Sequence, residues 1–172
     1  MSESNLARLE IAADKLEIQE VIYNLARSVD RCDADLMKSC FHTGATDDHG
    51  QFVGTAEDFV IWVMPILETM EQTQHCICNI LIKLEDDKAT TESYFLAFHT
   101  LDIEGSSSHM VAAGRYLDTL EKRDGVWKIT HRQAVFDWNQ LEPSSDTWGQ
   151  PPAIDQLLRG VRNSSDASYK NV

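Results

Sequence analysis

Three side chains sit where their chemistry does not match their surroundings. The first is Asp30. On a helical wheel of about 100° per residue, Tyr23 and Asp30 lie seven residues apart and point within roughly 20° of each other. Both flank the apolar stripe of Ile18, Val21, Ile22, Leu25 and Val29 instead of lying opposite it. A carboxylate at the edge of a buried face is unlike a solvated charge. It suits a partnered acid, and equally a residue that starts or caps the turn that follows. The second is His75. Alternate residues from it read His75, Ile77, Asn79, Leu81 and Lys83, while the other face from Cys76 to Leu84 is wholly apolar. A mixed face suits the wall of a ligand cavity, which is mostly apolar with a few placed polar groups. A hydrogen-bonded structural histidine fits the same spacing. The third is Arg132, which shares a strand face with Ala134, Phe136 and Trp138. An arginine there needs a partner, because an unpaired buried charge is costly, or must snorkel to the surface.

The elements that position these residues follow from periodicity. Helical spacing runs from about Asp14 to Val29, and Asp33 is placed to cap a second, short helix holding Leu36, Met37, Cys40 and Phe41. Residues 42–54 are polar and contain glycine, so they read as a loop with one short strand at most. Thr55, followed by Glu57 and Asp58, opens a third helix through Phe59, Trp62, Val63, Ile66, Leu67 and Met70. Pro65 is expected to kink that helix or start its second half. From Gln72 the period becomes two. Strands are expected over about 74–84, 90–101, 109–121 and 126–138, with turns at Asp86-Asp87, Glu104-Gly105-Ser106-Ser107 and Arg123-Asp124-Gly125. Helices followed by an antiparallel meander define an α+β domain with the helices on one face of the sheet. The chain therefore divides into a domain over residues 1–142 and an extension over 143–172. The extension is expected to pack on the domain or on a neighbouring subunit, with Ile154, Leu157, Leu158 and Val161 forming a short amphipathic helix.

Composition excludes several functions. The 172 residues carry 15 Lys+Arg against 28 Asp+Glu, a net charge of -13. Such acidity argues against nucleic acid and against anionic membrane surfaces as partners. No apolar run approaches the ~18 residues of a membrane helix, and the first residues lack the basic and apolar regions of a signal peptide. A cytoplasmic protein with reduced cysteines is expected, with Cys76 and Cys78 as core thiols. Asp47-Asp48-His49 does not read as a metal site, because three consecutive residues do not normally converge on one ion. No phosphate loop, nucleophile elbow or dinucleotide fingerprint is present. No cofactor and no metal are expected.

The order of these features carries a resemblance. Ser28-Val29-Asp30-Arg31-Cys32-Asp33 closes the first helix, Gln72-Thr73-Gln74-His75-Cys76-Ile77-Cys78-Asn79 opens the sheet, and Glu121-Lys122-Arg123-Asp124-Gly125-Val126-Trp127-Lys128-Ile129 is followed by Arg132. Over about Leu16 to Trp138 the chain resembles the SnoaL-like branch of the nuclear-transport-factor-2-like superfamily. The resemblance implies a cystatin-like cone: N-terminal helices packed on a curved, mostly antiparallel sheet that encloses a pocket. It also implies that Asp30 and His75 form the Asp–His dyad of the branch's scytalone dehydratase, hexachlorocyclohexane dehydrochlorinase and bile-acid dehydratase. His75 would then be the general base, Asp30 would orient it, and Arg132 would stabilise developing negative charge or a leaving group. Asn79 matches a strand asparagine of the dehydrochlorinase, Tyr23 matches only loosely, and Trp62, Phe136 and Trp138 are expected to shape the pocket. The implied activity is a cofactor-independent lyase or isomerase acting on a small hydrophobic, cyclic molecule, in a homo-oligomer (trimer or dimer). The superfamily also contains non-catalytic binding and assembly modules, such as small subunits of ring-hydroxylating dioxygenases, and polyketide cyclases.

Overall fold

The computed structural model describes residues 3–171. The first helix, α1 (Glu3–Arg31), buries Ile18, Ile22, Leu25 and Ser28, the stripe read from the sequence. It begins eleven residues before Asp14, and Leu6, Leu9 and Ile11 on that added length are exposed. Good helix formers extend the helix past the part that packs. At its end Cys32 adopts φ 49°, and the Asp33 N–H donates to Ser28 O at 2.9 Å. Asp33 then caps α2 (Ala34–Ser39) by accepting from the Leu36 N–H at 2.9 Å.

Residues 42–54 differ from the expected loop. Phe41–Asp48 forms strand β1, and Val53–Thr55 forms β2 antiparallel to it. β1 buries Phe41, Ala45 and Asp47, so its inward face is partly small and partly charged. That composition hides the alternation that marks a strand. Thr55 caps α3 (Ala56–Glu68), accepting from the Asp58 N–H at 3.1 Å. The helix continues through Pro65 as one element.

Four long strands follow: β3 (Gln72–Glu85), β4 (Lys88–Ile103), β5 (Ser106–Arg123) and β6 (Val126–Pro143). They form an antiparallel meander, and β1 adds to β6 in parallel, giving the order β2-β1-β6-β5-β4-β3. Asp124 and Gly125 both take positive φ, 54° and 79°, as a type I′ hairpin turn requires. Register shifts between Ile77 and Ile80, Ala113 and Gly114, and Thr119 and Leu120 curve the sheet. At Gly114 a Cβ would lie 2.1 Å from Val135 O, so the bulge admits only glycine there.

The helices close one end of this curved sheet. Trp127, Ile129 and Leu120 pack with Ile18, Ile22, Met37 and Val60 into the main core. Asp14 pins α1 to the sheet: its Oδ1 accepts from Trp127 Nε1 at 2.9 Å and from Lys122 Nζ at 2.7 Å. No helix among the described residues is long and apolar enough to cross a membrane.

The C-terminal segment contains two short 3-10 turns, Ala153–Asp155 and Ala167–Lys170, and the expected amphipathic helix does not form. Leu158 is 88% exposed. Between Pro152 and Gly160 the chain is too short to sustain a helix without a packed face. The segment instead lies against α1: Tyr169 Oη donates to Asp33 Oδ2 at 2.6 Å, and the Arg27 guanidinium stacks 4.4 Å over the Tyr169 ring.

Candidate active site

The last turn of α1 carries Asp30 to the start of β3, where three donors meet its carboxylate. His75 Nδ1 lies 2.7 Å from Asp30 Oδ1, Thr73 Oγ1 donates to the same oxygen at 3.0 Å, and the His75 backbone N–H donates to Oδ2 at 2.9 Å. Both oxygens are thus held by β3 itself. Because a carboxylate only accepts, Nδ1 carries the proton and Nε2 is the free ring nitrogen. Thr73 is buried beside them, and the sequence pattern did not single it out.

His75 opens into a cavity of about 690 Å³ between the concave sheet face, α1 and α3. The volume is in the range of small-molecule sites. Trp62, Phe95 and Met70 supply apolar walls, and Phe136 and Trp138, both more than half exposed, rim the mouth. His99 meets His75 edge-on, with ring centroids 5.5 Å apart. Burial, with the neighbouring His75 as second cause, pushes His99 down to about 4, so it is neutral at pH 7. Its Nδ1 is buried and has no partner.

Arg132 lies beneath this space and is 4% exposed. Its Nε and Nη2 each donate to Asp118 at 2.7 Å, a bidentate pair, and its guanidinium stacks 4.1 Å over the Tyr116 ring. Burial alone would lower the guanidinium, but the Asp118 carboxylate raises it well above the ordinary arginine value. Burial pushes Tyr116 up to about 12. The partner that an arginine on this apolar face was expected to need is therefore Asp118, and Arg132 still lines the cavity.

Two expected pocket residues lie elsewhere. Asn79 is exposed and does not line the cavity. The bulge between Ile77 and Ile80 is the cause: Thr73, His75 and Ile77 face inward before it, and Ile80, Ile82 and Leu84 after it. The same switch leaves Cys78 exposed and Cys76 half-buried, so these thiols are not core residues. Tyr23 is 47% exposed and lines a shallow outer groove on the far side of Asp30, not the cavity. The structure adds residues the pattern did not assign, chiefly Tyr116, Asp118, Asp47 and His49. Asp47 and His49 are two residues apart at a strand end, a spacing that puts both on one face. Among the described residues, no group of three His, Cys, Asp or Glu side chains is arranged to hold a metal ion.

Helices closing one end of a curved six-stranded sheet, with a histidine–carboxylate pair at the cavity, define an α+β protein of cystatin-like fold. Residues 10–133 match the SnoaL-like domain family, and the chain belongs to it. Solved structures agree on the fold. A hexachlorocyclohexane dehydrochlorinase of type 3 from Novosphingobium barchaimii LL02 is 19% identical and superposes with a TM-score of 0.71, over 84% of this chain and 99% of that one. A candidate scytalone dehydratase from Novosphingobium aromaticivorans DSM 12444 is 20% identical, with a TM-score of 0.66 over 97% and 99%. A cystatin-like protein of unknown function from Nostoc punctiforme PCC 73102 is 25% identical, with a TM-score of 0.62 over 73% and 92%. Comparison with curated protein sequences found no match.

Proposed function

We infer that the protein is a cofactor-independent lyase or isomerase in which His75 is the general base and Asp30 its orienting carboxylate. The observation that carries this reading is the 2.7 Å contact between His75 Nδ1 and Asp30 Oδ1 on an imidazole that lines the apolar cavity. Asp30 leaves Nε2 as the basic atom and stabilises the imidazolium that forms when it takes a proton. The substrate is a small hydrophobic ring compound with an acidified C–H, and loss of water, loss of halide or double-bond migration each begins with that proton. Arg132 supports the site from below through Asp118 and Tyr116. A non-catalytic binding module has no comparable need for a carboxylate held by three donors.

The test is turnover by His75→Ala and Asp30→Asn on a panel of hydroxylated and halogenated ring ketones. General-base removal is expected to cost about a hundred- to ten-thousandfold, with the fold unchanged by circular dichroism. Undiminished turnover in both variants overturns the reading.

A further inference from the structure

A second imidazole backed by a buried carboxylate lines the same cavity. His49 Nδ1 lies 2.5 Å from Asp47 Oδ1. Asp47 is 1% exposed, and its Oδ2 has no donor. His49 follows β1, whereas His75 is on β3, and β6, β5 and β4 lie between those strands in the sheet. Both histidines nonetheless line one cavity, because the sheet curves around it. The His49 ring is fixed by aromatic neighbours: it stacks on Phe59 at 4.6 Å and 20°, and its centroid lies 6.0 Å from Tyr116 and 6.3 Å from Phe136. The nearby cation does not replace it as Asp47's partner, because Arg132 gives Nε and Nη2 to Asp118. Asp47 therefore depends on the imidazole. With Nδ1 committed to the carboxylate, Nε2 is the atom His49 has for a ligand.

We propose that His49, oriented by Asp47, is the general acid of the reaction that His75 begins, and that the substrate therefore loses a hydroxyl group. This rests on the reading of His75 as base. Hydroxide is a poor leaving group unless it is protonated, whereas halide departs without a proton, so a second proton-carrying imidazole has work only in the first case. The step balances as follows. His75 Nε2 bonds to the proton of the acidified C–H, and the C–H electron pair becomes the new C=C bond. The C–O bond breaks with its pair on oxygen, the His49 Nε2 proton joins that oxygen, and water leaves. His75 ends protonated and His49 neutral; solvent at the open mouth restores both.

Two probes separate the roles. Ring opening of 5-nitrobenzisoxazole needs only a base, since its phenolate leaving group is a stable anion. Conversion of 3-hydroxycyclohexanone to 2-cyclohexenone and water needs a base and a proton donor. Both are followed by absorbance in wild type, His49→Gln and His75→Ala, with unfolding midpoints as the control for folding. His49→Gln is expected to lose about a hundredfold or more on the hydroxyketone while 5-nitrobenzisoxazole opening changes by less than about threefold. His75→Ala loses both. Equal loss on both probes in His49→Gln, or no loss on either, overturns the proposal. Wild type that opens 5-nitrobenzisoxazole but leaves the hydroxyketone untouched keeps His75 as base and overturns His49 as acid. Wild type inert to both removes the base itself, and the acid with it.

Discussion

Replacing Arg132 with methionine tests the electrostatic floor of the cavity. The substitution keeps much of the aliphatic stem and removes the guanidinium. Asp118 is 2% exposed and loses both of its 2.7 Å donors, and Asp47, 1% exposed and already lacking a donor on Oδ2, loses its neighbouring cation. Two carboxylates would then be buried with no guanidinium near them. Breaking a buried pair by removing one partner costs about 3–5 kcal/mol, a large share of the roughly 5–15 kcal/mol that holds a domain folded. For a chain of this size, the midpoint of thermal unfolding should fall by roughly 6–20 °C. Urea and thermal unfolding at pH 7 read the loss directly. The double variant Arg132→Met with Asp118→Leu should recover most of it, since the penalty arises from the unpaired charge and not from the missing pair. A single-variant loss below about 1 kcal/mol, or a double variant no better than the single, would refute this account of the floor.

Other perturbations follow from particular contacts. His99, lowered to about 4 from an ordinary 6.5, stays neutral in the folded protein while the unfolded chain takes up a proton below pH 6.5. Its contribution is therefore complete above pH 6.5 and is lost as the pH falls to about 4, on the order of 3 kcal/mol; His99→Phe should flatten that part of the stability–pH curve. Gly114→Ala pushes a methyl group against Val135 O and the Phe95 ring, and should cost about 1–3 kcal/mol in urea unfolding by straightening the bulge or displacing Phe95. Arg162 donates to Val29 O and Asp30 O at the end of α1 and to Leu67 O and Met70 O at the end of α3. Arg162→Ala leaves those carbonyls without their cation, and faster amide hydrogen exchange in the last turns of both helices is expected, with the rest of the sheet unaffected.

The legibility of this fold in the sequence tracks how strongly each segment is patterned by burial. The stripe from Ile18 to Val29 and the hairpin at Asp124-Gly125 were readable because one face of each is packed or one φ is forced. β1 was not, because its inward residues include Ala45 and Asp47, and a charged inward residue erases the period-two signal. Asn79 was misplaced for a related reason. Face assignment by alternation assumes an uninterrupted pleat, and one extra residue between Ile77 and Ile80 reverses every face beyond it. Asp30 and His75 were found as separate anomalies, but their contact joins residues 45 apart in the chain. Spacing alone could not bring them together; the resemblance to the SnoaL-like branch did.

The bulge that misled the reading of Asn79 also explains how the strand serves two ends of the cone. Before it, β3 must turn its odd residues inward, because Thr73 and His75 hold Asp30 at the cavity. After it, the even residues Ile80, Ile82 and Leu84 must face inward, because they pack against the main core with Leu120 and Trp127. A regular strand with these residues cannot satisfy both ends: keeping His75 inward would direct Ile80, Ile82 and Leu84 outward and turn Leu81 and Lys83 toward the core. Deleting Asn79 removes that conflict: Ile80 then follows Ile77 by two residues, and a regular pleat turns His75, Ile77, Ile80, Ile82 and Leu84 to one face. The variant is expected to fold, with His75 as protected from diethyl pyrocarbonate as in wild type. Deleting Cys78 and Asn79 together instead makes Ile77 and Ile80 adjacent and sets the two ends on opposite faces, so His75 should become reactive or the melting transition should be lost. A single deletion that exposes His75, or a double deletion that folds with His75 still protected, would refute this account of the bulge.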